Sequence, residues 1–398
     1  IPAIASKSPA HRALIAAALA DAETVIACSE TNEDIRATVR CLQALGAQIR
    51  YGGGAFAVNP ISVPVRKEPC ELDCGESGST LRFMLPVACA LGVQASFIMR
   101  SRLPSRPLSP LYEELVAHGC ALSPQGTSPL DVSGQLKGGV YTIAGNVSSQ
   151  YITGLLLALP LIKEDSRIDV TGELESRPYV DITLQALSDF GIEIAQRGNS
   201  FSIPGSQRYS SPGKLTVEGD WSNAACWLAL GAVGNQPVTV SGLNPDSPQG
   251  DKAFLDFLTR FGAKIETGAK GITVSGGTLR GIDADVRFCP DLTPMIAAVA
   301  LKAKGRTRIQ NAARLRLKEC DRLSAITNTL RAFGARITET PDGLTIDGGH
   351  PLHGGCVSSE HDHRIAMMAA VVSILCKGEV SIERADAVNK SYPRFFDD

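Results

Sequence analysis

The chain has almost no net charge and no apolar segment long enough to cross a membrane. Its 398 residues contain 39 Lys and Arg and 41 Asp and Glu, a formal charge of −2 at pH 7. Near-neutrality argues against general binding to nucleic acid or to a membrane surface. Its apolar runs fall well short of the ~20 residues that span a bilayer. We therefore expect a globular protein with no nucleic-acid or membrane partner.

Several familiar catalytic and metal-binding motifs are also missing. The sequence has no P-loop, no dinucleotide-binding fingerprint and no nucleophile elbow. Its eleven cysteines are scattered without paired CxxC modules, which predicts reduced, buried thiols and a reducing compartment such as the cytoplasm. His361 and His363 flank Asp362, but this spacing does not place both rings on one helix face. We interpret that segment as a helix cap and predict no metal site.

The sequence does contain a long internal repeat. An octet with Leu at its first position, Gly at its fifth and Leu or Ile at its eighth occurs five times. Its glycines are Gly46, Gly119, Gly191, Gly262 and Gly334, spaced 71 to 73 residues apart. Each octet predicts an outer helix that ends at a Gly C-cap and runs into a strand. A period this long indicates a supersecondary block of helices and strands.

A second set of positions follows the same period. Six apolar runs begin near Ser8, Ser79, Ser149, Ser222, Leu292 and Asp362. Helices that are apolar on every face are buried, and a β-rich stretch follows each run. Six such blocks divide into three and three, which predicts one domain at 6–217. The other domain would combine 1–5 with 218–398.

Polar clusters precede all six buried helices. They begin at Ser6, Glu76, Ser148, Glu218, Cys289 and Glu360. Helix N-termini carry unpaired N–H groups and partial positive charge, so Ser, Gly, Lys and Arg at these points favour phosphate or carboxylate binding. The alternative is ordinary N-capping by Ser, Thr and Asp. Six clusters in register favour the anion sites.

Further basic residues lie between these clusters. Arg106 precedes a proline where the second outer helix is expected to open, and Lys390 lies where the sixth would begin. Lys318 and Arg322 are four apart, which predicts one helix face with Glu319 beside them. The alternative for this segment is a solvated charged face.

The order of these clusters resembles the EPSP synthase (3-phosphoshikimate 1-carboxyvinyltransferase) family. The matching segments are SKSPAHR, ESGSTLR, RLPSRP, SSQ, SRPY, EGDWSN, PD, KECDRL, DHR and NKSYPRFF, and they span the chain. The resemblance implies an α/β (α+β) fold of two domains, an inside-out α/β barrel. Each domain would have three βαβαββ repeats about a pseudo-threefold axis and close around the substrates. It also implies a monomer that acts on small molecules without a metal or organic cofactor.

The resemblance further implies roles for individual residues. Shikimate 3-phosphate would contact Lys7, Ser8, Arg12, Ser148, Ser149, Gln150, Ser176, Asp291 and Lys318. Phosphoenolpyruvate would contact Lys7, Gly78, Arg106, Gln150, Arg322, Arg364 and Lys390. The catalytic residues would be Asp291, Glu319 and Lys7. Asp291 would act as the base on the 5-hydroxyl, and Glu319 would transfer protons at the methylene carbon, with Lys7 sharing that work.

The implied activity has two alternatives. The UDP-N-acetylglucosamine enolpyruvyltransferases share the fold and phosphoenolpyruvate, but Ser6-Lys7-Ser8 and Lys318-Glu319 favour the shikimate reaction. A non-catalytic homologue is disfavoured because Lys7, Asp291, Glu319 and Lys390 are all present. Glu76, Ser79 and Arg314 depart from the residues common in the family, which leaves the contacts near them open.

Overall fold

The computed structural model of the chain describes residues 1–61 and 69–398. These residues form two compact units. The first unit is Ala5–Val217, and the second unit combines Ile1–Ile4 with Glu218–Asp398. Ala5, which we predicted with 1–5, belongs to the first unit because its side chain is buried in that unit's core.

The first unit contains six α-helices and twelve strands among its described residues. Its helices are α1 Lys7–Ala18, α2 Glu33–Ala44, α3 Gly78–Leu91, α4 Leu111–Ala117, α5 Ser149–Ala158 and α6 Arg177–Asp189. Its strands are β1 Thr24–Ala27, β2 Gln48–Gly52, β3 Ala55–Asn59, β4 Cys70–Gly75, β5 Ala95–Met99, β6 Cys120–Leu122, β7 Leu130–Gly134, β8 Gly139–Ala144, β9 Ser166–Thr171, β10 Ala195–Arg197, β11 Ser200–Ile203 and β12 Lys214–Thr216.

The second unit repeats this element order through its third buried helix and the strand that follows it. Its helices are α7 Trp221–Val233, α8 Phe254–Phe261, α9 Thr293–Lys302, α10 Arg322–Ala332 and α11 His363–Ser373. Its strands are β13 Val238–Val240, β14 Lys264–Gly268, β15 Gly271–Ser275, β16 Asp283–Asp285, β17 Gly305–Gln310, β18 Arg336–Thr340, β19 Gly343–Gly348, β20 Leu352–Ser358 and β21 Cys376–Glu383. Short 3-10 helices include Pro290–Leu292, Ala313–Leu317 and Ala385–Lys390.

The six apolar runs are buried helices, as predicted. They are α1, α3 and α5 in the first unit and α7, α9 and α11 in the second. Each unit has its own hydrophobic core containing its three helices. Strands such as β5 and β9 alternate between buried and more exposed side chains. The sheets therefore cover the buried helices with one face.

The five octets also form the predicted helix ends. Their glycines all have φ between +74° and +109°, a conformation that costs glycine little. After α2, the Ala47 N–H reaches back to the Leu42 carbonyl at 3.0 Å, as in a Schellman cap. This bond explains why the octet begins with a helical residue, Leu42, six positions before the new strand begins at Gln48.

The sheets show how one block joins the next. In the first unit, β4 pairs parallel to β5 and β8 parallel to β9, so the last strand of one block joins the sheet of the following block. β12 pairs parallel to β1, which links the third block back to the first. In the second unit, Pro2 bridges in parallel to Ser241, the residue that follows β13.

Three predicted helix starts are wrong. α4 begins at Leu111 and not near Arg106, because Pro107 and Pro110 disfavour helix in the residues before them. α10 begins only at Arg322, where the Asp321 carboxylate caps the Ser324 N–H at 3.2 Å. Lys318 and Glu319 therefore precede this helix and share no helical face with Arg322. Lys390 ends the 3-10 helix Ala385–Lys390 instead of opening an outer helix.

Two further sequence features have direct counterparts. All eleven cysteines are free thiols, and eight of them are buried. No helix in the described part of the chain is long and apolar enough to cross a membrane.

Candidate active site

The buried helices of the two units begin differently. In the first unit the N-caps of α1, α3 and α5 are neutral serines, Ser6, Ser77 and Ser148. In the second unit, Asp220 and Asp362 cap α7 and α11 with their carboxylates. A carboxylate at an N-cap occupies the positive end of the helix dipole. The expectation of six similar anion sites is therefore too uniform: two of the three buried helices of the second unit have carboxylate caps, whereas the N-cap residue of α9 is Leu292.

Lys7 lies in the first turn of α1 and is paired with an acid. Its Nζ donates to the Asp34 carboxylate at 2.9 Å. The Lys7 side chain is 18 % exposed and that of Asp34 6 %. An ion pair this shielded holds the ammonium in one place more firmly than a surface pair would.

Arg12, one turn further along α1, is buried and makes no ion pair with an acid of residues 1–61 and 69–398. Burial lowers the pKa of Arg12 to about 9, which still leaves the guanidinium charged at neutral pH. One of its hydrogen bonds goes to the Ser8 carbonyl at 2.7 Å. This residue is therefore a buried positive charge with neutral surroundings.

Gln150 joins the starts of α3 and α5. Its Nε2 donates to the Ser79 hydroxyl at 2.9 Å, and its Oε1 accepts from Arg82 Nη1 at 3.0 Å. Gly78, the first residue of α3, lies against two guanidiniums. A Cβ at Gly78 would be 2.6 Å from Arg82 Nη1 and 2.7 Å from Arg106 Nη1. The first unit thus brings Gly78, Arg106 and Gln150 together, as their predicted shared role requires.

The predicted serines lie at helix starts. Ser148 accepts a hydrogen bond from the Gln150 N–H at 3.3 Å, and Ser149 is buried in the first turn of α5. Ser176 precedes α6 with φ +54°, an uncommon conformation for a residue with a side chain. Such backbone outliers concentrate at functional sites.

In the second unit, Arg322 is the centre of a polar cluster. The Arg322 side chain is only 2 % exposed, and its guanidinium contacts three carboxylates. Nε donates to Asp362 at 2.6 Å, Nη1 to Asp291 at 2.8 Å and Nη2 to Glu319 at 2.8 Å. Burial lowers the pKa of Arg322, but the three carboxylates outweigh that effect and raise it well above its usual range.

Asp291 receives two more positive charges. Lys318 Nζ lies 3.4 Å from Asp291 Oδ1, and Arg364 Nη2 lies 3.5 Å from Oδ2. Burial would raise the pKa of Asp291, but Lys318, Arg364 and Arg322 hold it well below 3.8. Burial also lowers the pKa of Lys318, an effect that Asp291 opposes. We call Asp291, Lys318, Glu319, Arg322, Asp362 and Arg364 the Asp291 cluster.

The Asp291 cluster is electrically balanced. Three cations face three carboxylates at hydrogen-bond or ion-pair distance. Arg364 also donates to the Ser222 carbonyl at the start of α7. Lys390, which belongs to the same unit, is buried. The unit therefore has two acids suited to proton transfer: the ionised Asp291, and Glu319, which accepts a hydrogen bond from Arg322.

Three residues outside the predicted set prove central. Arg82 and Asp362 were visible within the ESGSTLR and DHR segments, and the position of Arg82 one turn after Gly78 was the available signal. Asp34 had none, because its pairing with Lys7 spans 27 residues of sequence. Among the described residues, no three His, Cys, Asp or Glu side chains come together in a metal-binding group.

Comparison with known proteins agrees with the resemblance. The family model for EPSP synthase (3-phosphoshikimate 1-carboxyvinyltransferase) matches residues 1–398. Proteins named 3-phosphoshikimate 1-carboxyvinyltransferase from Clostridium perfringens and Clostridium kluyveri are each 43 % identical to the chain. The match covers 99 % of this chain in both cases, and 93 % and 92 % of those proteins.

The solved structures agree in fold. An EPSP synthase structure from Acinetobacter baumannii superposes with a TM-score of 0.83 at 25 % identity, covering 100 % of this chain and 94 % of that one. The enolpyruvyl transferase NikO from Streptomyces tendae has the same fold, with a TM-score of 0.80 at 19 % identity over 100 % of this chain and 93 % of its own. The chain belongs to the EPSP synthase (3-phosphoshikimate 1-carboxyvinyltransferase) family.

Proposed function

We propose that this chain transfers the enolpyruvyl group of phosphoenolpyruvate to the 5-hydroxyl of shikimate 3-phosphate and releases phosphate. The observation that carries the proposal is the Asp291 cluster, in which an ionised carboxylate and a second acid are held by three cations. Family membership over the whole chain supports the same reaction. We also propose a cytoplasmic monomer that needs no metal or organic cofactor, with the free thiols favouring a reducing compartment.

The first unit supplies most of the contacts to shikimate 3-phosphate. Its neutral helix caps and its buried Arg12 leave positive potential available to a phosphate or carboxylate. Lys7, Ser8, Arg12, Ser148, Ser149, Gln150 and Ser176 take this role. Lys7, Gly78, Arg106 and Gln150 also take part in binding phosphoenolpyruvate.

The second unit supplies the acid–base groups and further cations. Asp291 and Lys318 contact the hydroxyls of shikimate 3-phosphate. Arg322, Arg364 and Lys390 bind the anionic groups of phosphoenolpyruvate. Arg364 and Lys318 each make one long contact to Asp291, so a substrate group can compete for either, whereas Arg322 is held by three short ones.

The chemistry proceeds by addition and elimination. A proton is added to the methylene carbon of phosphoenolpyruvate, and the 5-hydroxyl oxygen attacks the neighbouring carbon as it loses its own proton. The tetrahedral adduct then loses phosphate by C–O cleavage and a proton from the new methyl group. Glu319, with Lys7, transfers the protons at carbon, and Asp291 accepts the hydroxyl proton.

The low pKa of Asp291 bears directly on this role. A carboxylate whose pKa is held well below 3.8 is ionised but weakly basic. When an anionic group of phosphoenolpyruvate binds Arg364, it offsets part of that positive charge and raises the pKa of Asp291. Asp291 therefore becomes a stronger base when its cations are occupied.

The decisive assay is phosphate release by the purified protein. We expect release from phosphoenolpyruvate only when shikimate 3-phosphate is also present. Shikimate without its phosphate and UDP-N-acetylglucosamine serve as matched acceptors. Turnover with UDP-N-acetylglucosamine and none with shikimate 3-phosphate would reject the proposal, and absence of turnover with either would favour a non-catalytic homologue.

A further inference from the structure

Arg12 is held entirely by neutral oxygen atoms. Its Nε donates to the Thr183 hydroxyl at 2.7 Å, and its Nη2 donates to the Thr153 hydroxyl at 3.1 Å and to the Tyr179 carbonyl at 2.9 Å. A fourth bond reaches the Ser8 carbonyl from Nη1. Buried charges are usually paired with an opposite charge, and Arg322 in the second unit follows that rule.

The hydroxyl protons around Arg12 have a fixed order. Thr183 donates its one proton to the Tyr179 carbonyl at 2.9 Å. The Thr153 and Thr183 hydroxyls are 2.8 Å apart, so Thr153 must be the donor of that bond. Both oxygens then present only lone pairs to Arg12. The two threonines thus form an acceptor pair that orients the guanidinium without neutralising it.

The geometry leaves one guanidinium N–H, on Nη1, with no partner in the described chain. The centroid of the Phe83 ring lies 5.0 Å from the guanidinium carbon, a cation–π contact that adds no opposite charge. We infer that Thr183 and Thr153 are positioning residues, which hold Arg12 with its charge intact to receive an anionic group of shikimate 3-phosphate. This inference rests on the proposed function.

The substitution that tests it is Thr183→Val, which keeps the shape of the side chain and removes the acceptor. The loss of one hydrogen bond to a charged group predicts a Kd for shikimate 3-phosphate that is about 10- to 100-fold higher. The Thr183→Ser variant keeps the hydroxyl and should restore the Kd to within about 3-fold of wild type. The KM for phosphoenolpyruvate and the kcat at saturation should change by less than about 3-fold.

A matched control is Thr327→Val on α10. Thr327 is also buried, but its hydroxyl has no hydrogen-bond partner within residues 1–61 and 69–398, so its loss should leave the Kd unchanged. Titration with shikimate, which has the carboxylate but no phosphate, identifies the anion. A penalty shared by shikimate assigns Arg12 to the carboxylate, and a penalty confined to shikimate 3-phosphate assigns it to the phosphate. Both results support the positioning role.

Nitrogen-15 NMR of the Arg12 Nε–H group gives a readout that does not depend on turnover. The signal, assigned by its loss in Arg12→Lys, should exchange slowly with solvent in wild type and rapidly in Thr183→Val. Unchanged exchange in Thr183→Val overturns the inference even if the proposed reaction fails. Unchanged affinity in Thr183→Val, or a Thr183→Ser variant as weak as Thr183→Val, overturns it in an enzyme that turns over.

Discussion

Replacing Gly78 with Ala should weaken phosphoenolpyruvate binding without unfolding the protein. The new Cβ would be 2.6 Å from Arg82 Nη1 and 2.7 Å from Arg106 Nη1, against 3.4 Å or more for an ordinary contact. Each guanidinium must retreat by about 0.7 to 0.8 Å. Both are the ends of flexible side chains, and Gly78 has a helical backbone in which Ala is favoured. The cost should therefore fall on binding rather than on folding.

A displacement approaching 1 Å at an anion-binding group lowers activity by roughly 10- to 100-fold. We expect the KM for phosphoenolpyruvate to rise by this factor, with a smaller change for shikimate 3-phosphate and a nearly constant Tm. Steady-state kinetics with each substrate varied in turn, together with thermal unfolding, measure these quantities. Gly52→Ala is the control, because nothing lies within 4 Å of its Cβ position. An unchanged KM for phosphoenolpyruvate in a folded Gly78→Ala enzyme would refute the reasoning.

The Asp291 cluster supports two further predictions. Asp291→Asn and Glu319→Gln should retain substrate binding by calorimetry but lose most of kcat; normal kcat with weakened binding would contradict their acid–base roles. Asp362→Asn should lower the free energy of unfolding by about 3 kcal/mol in urea at pH 7, because it removes a buried partner of Arg322. Asp347→Asn should be nearly neutral, because the Asp347 side chain is 42 % exposed. Burial would raise the pKa of Asp362, but Arg322 outweighs this effect and lowers it. The Asp362 carboxylate therefore contributes its full stabilisation above the pKa of an unfolded Asp, about 3.9. That contribution is lost as the pH falls through the lower pKa of Asp362 in the folded protein. The assignment would be contradicted if lowering the pH reduced the urea midpoint of the wild type and of Asp362→Asn by the same amount.

The repeat made most of the fold predictable. Apolar runs and octets with the same period defined the buried helices, the outer-helix ends and the strands after them. The helix starts were harder, because a spacing of four fits a helix as well as an irregular segment. Lys318 and Arg322 have that spacing, but they do not share a helix face. Instead, both contact Asp291.

The candidate site was predictable where motifs were local. Gly78 and Gln150 were identified from short segments, and in the structure both lie next to the Arg82 guanidinium. Long-range partners were not predictable in the same way. Thr183 contacts Arg12 across 171 positions, and Asp34 contacts Lys7 across 27. Such pairs depend on the packing of helices from different blocks, which a single sequence does not encode locally.

The pairing of Pro2 with Ser241 determines the order in which the two units can fold during translation. The described strands of the first unit all come from one continuous stretch, Ala5–Val217, so this unit can fold while the rest of the chain is still being translated. Residues 1–4 leave the ribosome before that stretch, yet their hydrogen-bond partners Thr239 and Ser241 come after it. Residues 1–4 can therefore form these hydrogen bonds only after more than half of the chain has been translated.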